Sequence, residues 1–212
     1  MSTETLALFG GPKTITLPFQ RYNSIGKEEV EAARLVIESG NLSQFLGCWE
    51  PDFFGGPKVQ AFEKQCAEYF GVKHAITVNS WTSGLIAAVG AIGIEPGDEI
   101  ITTSITDMGA ITPIIYQGAI PVFCDVDPHT YNVTAESIAK VISPKTKAII
   151  VTHLFGNPCD MAPIMELANR HGIPVIEDCA QSFLTTYRDQ YVGTFGAVGS
   201  FSLPVQYVAR SG

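Results

Sequence analysis

The stretch Ile173-Pro174-Val175-Ile176-Glu177-Asp178-Cys179-Ala180-Gln181 decides how this chain is read. Apolar residues run straight into two carboxylates, and small and polar residues follow. A short apolar run bounded by turn signals predicts a strand buried on both faces. Carboxylates at its carboxyl end stand where open α/β sheets bind ligands. A buried carboxylate is costly unless a cation or good hydrogen bonds meet it. At least one of Glu177 and Asp178 is therefore expected to find a positive partner. A solvated strand end or a helix cap is the alternative this stretch alone leaves open.

Outward from it the chain alternates regularly. Strands are predicted at 75–78, 99–103, 120–124 and 148–152, and helices at 82–91, 108–116, 134–141 and 162–171, with Gly118 and Gly172 as stops. Alternating strands and helices with short connections predict a parallel, doubly wound α/β sheet. Before this block, residues 27–39 and 59–70 read as amphipathic helices ended by Gly40 and Gly71. Residues 41–57 form a glycine-rich loop carrying Phe45, Trp49, Phe53 and Phe54, too many aromatics for a solvated surface. They are expected at a subunit contact, with the chain's own core as the alternative. After Gln181 a hairpin is predicted around Arg188-Asp189-Gln190, then a strand at 197–203. The organisation is thus an arm, helix and aromatic loop over 1–55 and an α/β core over 56–212.

Composition sets limits. The 212 residues are 46% hydrophobic and 16% charged, enough for a sizeable core, and the net charge of −8 argues against nucleic acid or an anionic membrane as partner. Five cysteines without a CxxC pair are neither a disulfide framework nor a zinc motif and fit a reducing cytoplasm. No signal peptide or membrane-spanning run is read.

Several groups stand where chemistry is expected. Asn79-Ser80-Trp81-Thr82-Ser83-Gly84 opens a helix directly after a strand, and the free N–H groups there attract anions. A plain helix cap by Ser80 or Thr82 is the competing reading. No G-x-G-x-x-G and no Walker lysine is present, so dinucleotide and nucleoside triphosphate sites are unsupported. Asp125 and Asp127 read as a turn and cap rather than a metal site, since no third acidic ligand follows. Cys179 has no histidine base beside it in sequence and is not expected to be a nucleophile.

Taken together these segments resemble the DegT/DnrJ/EryC1/StrS family of pyridoxal-phosphate-dependent sugar aminotransferases. The matches, in the family's order, are Gly56-Pro57-Lys58-Val59, Gly71-Val72-Lys73-His74-Ala75, Val78-Asn79-Ser80 with Thr82-Ser83, and Pro96-Gly97-Asp98-Glu99. They continue with Gly118-Ala119, Asp125-Val126-Asp127, Lys145-Thr146-Lys147, Asp160-Met161, Val175 to Gln181, and Gly193 with Phe201-Ser202. The resemblance implies the large domain of a fold type I pyridoxal 5'-phosphate enzyme, amino transfer from an amino acid to a keto-sugar nucleotide, and a homodimer. It implies that Asp178 pairs with the pyridine nitrogen, Gln181 lies near the ring hydroxyl, and Thr82, Ser83 and Ser202 hold the phosphate.

Three departures stand out. Trp81 replaces a glycine of the phosphate turn. Asp107 stands where the family places an aromatic that stacks on the cofactor ring. The family's Schiff-base lysine falls at Tyr207, and residues 206–210 contain no lysine or histidine. The family's C-terminal small domain is expected to be absent as well. The expectation is therefore a truncated large domain, impaired in transamination, with an uncovered sheet edge that favours association. The alternative is a non-catalytic or regulatory module, or a gene fragment.

Overall fold

The apolar runs after Gly97 build a five-stranded sheet, all parallel, in the order β2-β1-β3-β4-β7. Its strands are β1 (Glu99–Thr103), β2 (Ile120–Cys124), β3 (Thr146–Thr152), β4 (Val175–Asp178) and β7 (Val198–Ser200). The computed structural model describes residues 5–18, 25–42, 44–45 and 47–203. The short strands β5 (Thr186–Tyr187) and β6 (Gln190–Tyr191) make the expected hairpin. The helices are α1 (Lys27–Ser39), α2 (Pro57–Phe70), α3 (Trp81–Ala91), α4 (Met108–Tyr116), α5 (Ala135–Ala139) and α6 (Met161–His171).

Two cores lie on the two faces of the sheet. On one face Ile100, Ala148, Ile150 and Ile176 pack with Leu85, Ala88 and Val89 of α3 and Ala110 and Ile114 of α4. On the other, Ile101, Ile149, Val151 and Val175 pack with Ile138 of α5 and Ile164, Leu167 and Ala168 of α6. Successive strand residues alternate between these faces, which accounts for unbroken apolar runs in β3 and β4. From β1 the chain steps to β2 through α4 on one face. From β3 it steps the opposite way to β4 through α6 on the other face. The order of strands therefore reverses between β1 and β3, and sites in such sheets form outside the carboxyl ends near that reversal.

Compactness divides the chain after Leu42. In the first unit, α1 is capped by Glu29, whose carboxylate accepts from the Gly26 N–H at 2.6 Å, and Arg34 pairs with Glu31 and Glu38. None of its residues is buried. In the second unit, Trp49, Phe53 and Phe54 pack on one another, with the Trp49 and Phe53 rings stacked at 4.4 Å. Trp49 nevertheless remains 81% exposed, while Phe53 is half-buried.

One predicted strand is absent. Residues 75–78 form no strand and pair with none, with Ile76 81% exposed. Among the described residues no strand lies alongside them. The Thr77 N–H and hydroxyl donate instead to the Glu63 carboxylate of α2, at 2.7 and 2.8 Å. A side chain thus meets backbone polarity that a neighbouring strand would otherwise satisfy.

Candidate functional site

The alternation of β4 sends Glu177 and Asp178 to opposite faces of the sheet. Glu177 is fully buried, and four donors meet its two oxygens. Oε1 accepts from the backbone N–H of Phe195 and of Gly196, each at 2.7 Å. Oε2 accepts from the Gly193 N–H at 2.7 Å and lies 3.2 Å from His153 Nε2. His153 Nδ1 accepts from the Cys159 N–H at 3.0 Å, which leaves the ring proton on Nε2, facing Glu177. The expected positive partner is therefore a histidine N–H plus three backbone donors. His153, Glu177 and Cys179 lie close enough together to suggest a metal centre. Their polar atoms are already engaged with the fold, and burial holds the Cys179 thiol well above its ordinary range. This cluster is a clamp joining β4 to the turn before β7.

Asp178 is differently placed. It is 1% exposed and has two hydrogen bonds, from the Ala180 N–H to Oδ1 at 3.0 Å and from the Thr152 hydroxyl to Oδ2 at 3.1 Å. Each oxygen keeps acceptor capacity. Burial pushes its carboxyl up to about 6, against the opposing pull of Ala180, Thr152, His153 and the Trp81 indole N–H. That indole N–H is itself buried, and its approach to Asp178 falls short of good hydrogen-bond geometry.

The start of α3 lies beside this acid. Ser80 is the N-cap, as the competing reading of the turn has it, and its Oγ accepts from the Ser83 N–H at 3.1 Å. The cap leaves the N–H groups of Trp81 and Thr82 without hydrogen bonds among the described residues, so capping and anion binding are compatible here. Asp107 caps α4, accepting from the Gly109 N–H at 2.7 Å. A Cβ at Gly109 would stand 2.6 Å from Trp81 Cζ3 and 2.8 Å from Thr82 Oγ1, so glycine permits this approach. A Cβ at Gly84 would similarly meet Ser200 Oγ at 3.1 Å, which ties α3 to β7.

Asp178, Trp81, Thr82, Gly109 and Asp107 thus share one edge of the sheet. Gln181 turns its Oε1 to the Phe155 N–H at 3.1 Å, and its amide N–H₂ has no hydrogen bond among the described residues. Ser202 follows β7, partly buried, and makes no hydrogen bond to Thr82 or Ser83. Tyr207 lies outside the described residues. Asp127 accepts from the His129 and Thr130 N–H groups at 2.9 Å, confirming the turn. Thr152 and His153 acquire their roles from strand pairing, which sets Thr152 beside Asp178.

With this geometry established, comparison with known proteins identifies the relatives. GDP-perosamine synthase of Caulobacter vibrioides is 46% identical over 175 residues, 82% of this chain and 47% of that protein. The X-ray structure of the aminotransferase from Psychrobacter cryohalolentis matches at 40% identity with a TM-score of 0.78, over 87% of this chain and 44% of that one. E. coli GDP-4-keto-6-deoxy-D-mannose-3-dehydratase, solved with bound hydrated PLP, matches at 27% identity with a TM-score of 0.75, over 85% and 45%. The chain spans about half the length of the curated relatives it matches. Residues 24–205 match the family model described as DegT/DnrJ/EryC1/StrS aminotransferase, and the chain belongs to that family.

Proposed function

We propose that this chain forms the cofactor-binding part of a pyridoxal 5'-phosphate-dependent aminotransferase, moving an amino group from an amino acid to a keto-sugar nucleotide. Asp178 carries the reading. It is a buried carboxylate with spare acceptor capacity, beside a helix N-terminus with free N–H groups. These features suit a ligand with a basic ring nitrogen at one end and a phosphate at the other. The cofactor, when bound, supplies an electron sink for charge developing at the substrate carbon. Asp178 would hold the proton on the ring nitrogen, and the free N–H₂ of Gln181 would orient toward the ring hydroxyl. Thr82 and Ser83 would hold the phosphate at the α3 N-terminus, assisted by Ser202. Asp107 would border the ring side of the site.

A tyrosine at 207 cannot replace an amine nucleophile. This chain would therefore bind pyridoxal phosphate without a covalent link and turn over poorly. The missing lysine also favours a second reading, a non-catalytic module that retains the cofactor. The exposed aromatics of residues 45–54 would serve a homodimer contact, and the cysteine pattern a cytoplasmic setting. Among the described residues no helix is long and apolar enough to cross a membrane.

The test is equilibrium dialysis of pyridoxal phosphate against the full chain and Asp178→Asn. The expected result is binding by the parent without the visible absorption of a lysine adduct, and loss of at least about tenfold in the variant. No binding by the parent, or equal binding by both, refutes the reading.

A further inference from the structure

We infer that Trp81 is a positioning residue for Asp178 and the planar platform beside it, against which a pyridine ring held by Asp178 rests; the platform role depends on the pyridoxal-phosphate reading above. Trp81 Nε1 and Thr102 Oγ1 are the buried side-chain polar atoms without a hydrogen-bond partner among the described residues. A buried donor left unpaired is costly, and it persists where something uses it. The six-membered ring of Trp81 lies against Gly109, in a slot that any Cβ at 109 would close. Its N–H end lies toward the Asp178 carboxyl. Gly109 follows β1, Asp178 ends β4, and β3 runs between those strands. The indole therefore spans the carboxyl ends of the sheet beside the reversal of strand order.

Trp81 is also the first residue of α3, immediately before Thr82 and Ser83. A ligand with its phosphate on this helix end and its ring nitrogen at Asp178 must pass the indole. Aromatic rings in that relation favour offset stacking. Asp107, committed to capping α4, offers no ring surface. The indole offers an aromatic surface at this edge, and its N–H, without a partner of its own, ends near a carboxylate that has accepted only two hydrogen bonds.

Trp49 and Trp81 are the two tryptophans, so Trp49→Phe leaves Trp81 as the sole indole emitter. The first measurement needs no cofactor. Emission of Trp49→Phe is followed from pH 8 to pH 5, with Trp49→Phe/Asp178→Asn as control. A transition near the Asp178 titration that the control lacks is expected. The titratable groups around Asp178 are Glu177 and Cys179 on either side of it in the chain, His153 at the end of β3 and Asp107 at the start of α4, while α3 and β7 carry no charged side chain. A change in emission that does not come from Asp178 would survive in the control, so the difference isolates Asp178. No transition, or the same transition in both, overturns the positioning role.

The second measurement adds pyridoxal phosphate. Quenching of Trp81 emission is expected in Trp49→Phe. Trp81→Phe, which keeps a ring, is expected to bind within about threefold of the parent, and Trp81→Ala about tenfold or more weakly. Equal or tighter binding by Trp81→Ala overturns the platform, because the indole would then be neutral or an obstruction. No binding by the parent refutes the cofactor reading and the platform together, while the first measurement still judges the contact with Asp178.

Discussion

Glu177 and Asp178 are adjacent, equally buried and chemically alike, yet the two faces of β4 use them in opposite ways. Glu177 is saturated by four donors and anchors the turn 193–196 and His153. Asp178 has two donors and a nearby indole, and burial leaves its carboxyl titrating at about 6. Satisfied polar groups hold structure together, whereas incompletely satisfied ones keep capacity for a ligand. The comparison teaches that burial of an acid does not mark a binding site. Unspent hydrogen-bonding capacity distinguishes Asp178 from Glu177.

Glu177→Gln should break the comparison most strongly. Its amide N–H₂ would face backbone N–H donors, leaving buried groups unpaired, and a loss of about 3–5 kcal/mol is expected. Urea unfolding at pH 7 measures it, and a loss below about 1 kcal/mol would show that the clamp is dispensable.

Asp178→Asn should act in the opposite direction at neutral pH. The carboxyl titrates at about 6 in the folded chain and near 3.8 when free. Between those values the folded state holds the extra proton, so this contribution to stability is full at low pH and is lost as pH rises through 6. The ionised acid then costs up to about 3 kcal/mol. The variant is expected to be more stable than the parent at pH 8, with the difference vanishing near pH 4. A variant less stable at pH 8 would place Asp178 with Glu177 as a structural acid.

Gly109→Ala tests the slot on the Asp178 face. Its Cβ would press on Trp81 and Thr82, at an expected cost of about 1–3 kcal/mol. The smaller ring of Trp81→Phe should recover part of that cost in a double-mutant cycle, and strict additivity would deny the contact. Thr102→Val should give the smallest effect. It removes a buried hydroxyl that has no partner, and a gain of about 1 kcal/mol is expected in thermal melting. A loss instead would mean that the hydroxyl is used.

Much of the fold was legible because a parallel sheet writes itself as short apolar runs. Strand β1 and helices α1 and α4 occupy the predicted residues, and β3, β4, α3 and α6 differ only at their ends. The predicted strand at 75–78 failed because strand identity needs a neighbour, and apolar residues show only that one would be tolerated. The site was legible in part. Asp178 and the Thr82-Ser83 turn stood at the ends of periodic segments, where position alone assigns the ligand edge. Trp81 was visible as a bulky side chain in a glycine position, without any sign of where its N–H would lie.

Local pattern was sufficient for the element order, the parallel sheet, the cap at Ser80 and the acidic end of β4, because these follow from periodicity and the hydrogen-bonding habits of neighbouring residues. The division of labour between Glu177 and Asp178 required the assembled sheet. Gly193, Phe195 and Gly196 reach Glu177 from 16 to 19 residues away, and Thr152 reaches Asp178 from 26. No local rule says which acid such distant donors will satisfy, because that depends on which face each carboxylate takes and which chain segment closes over it.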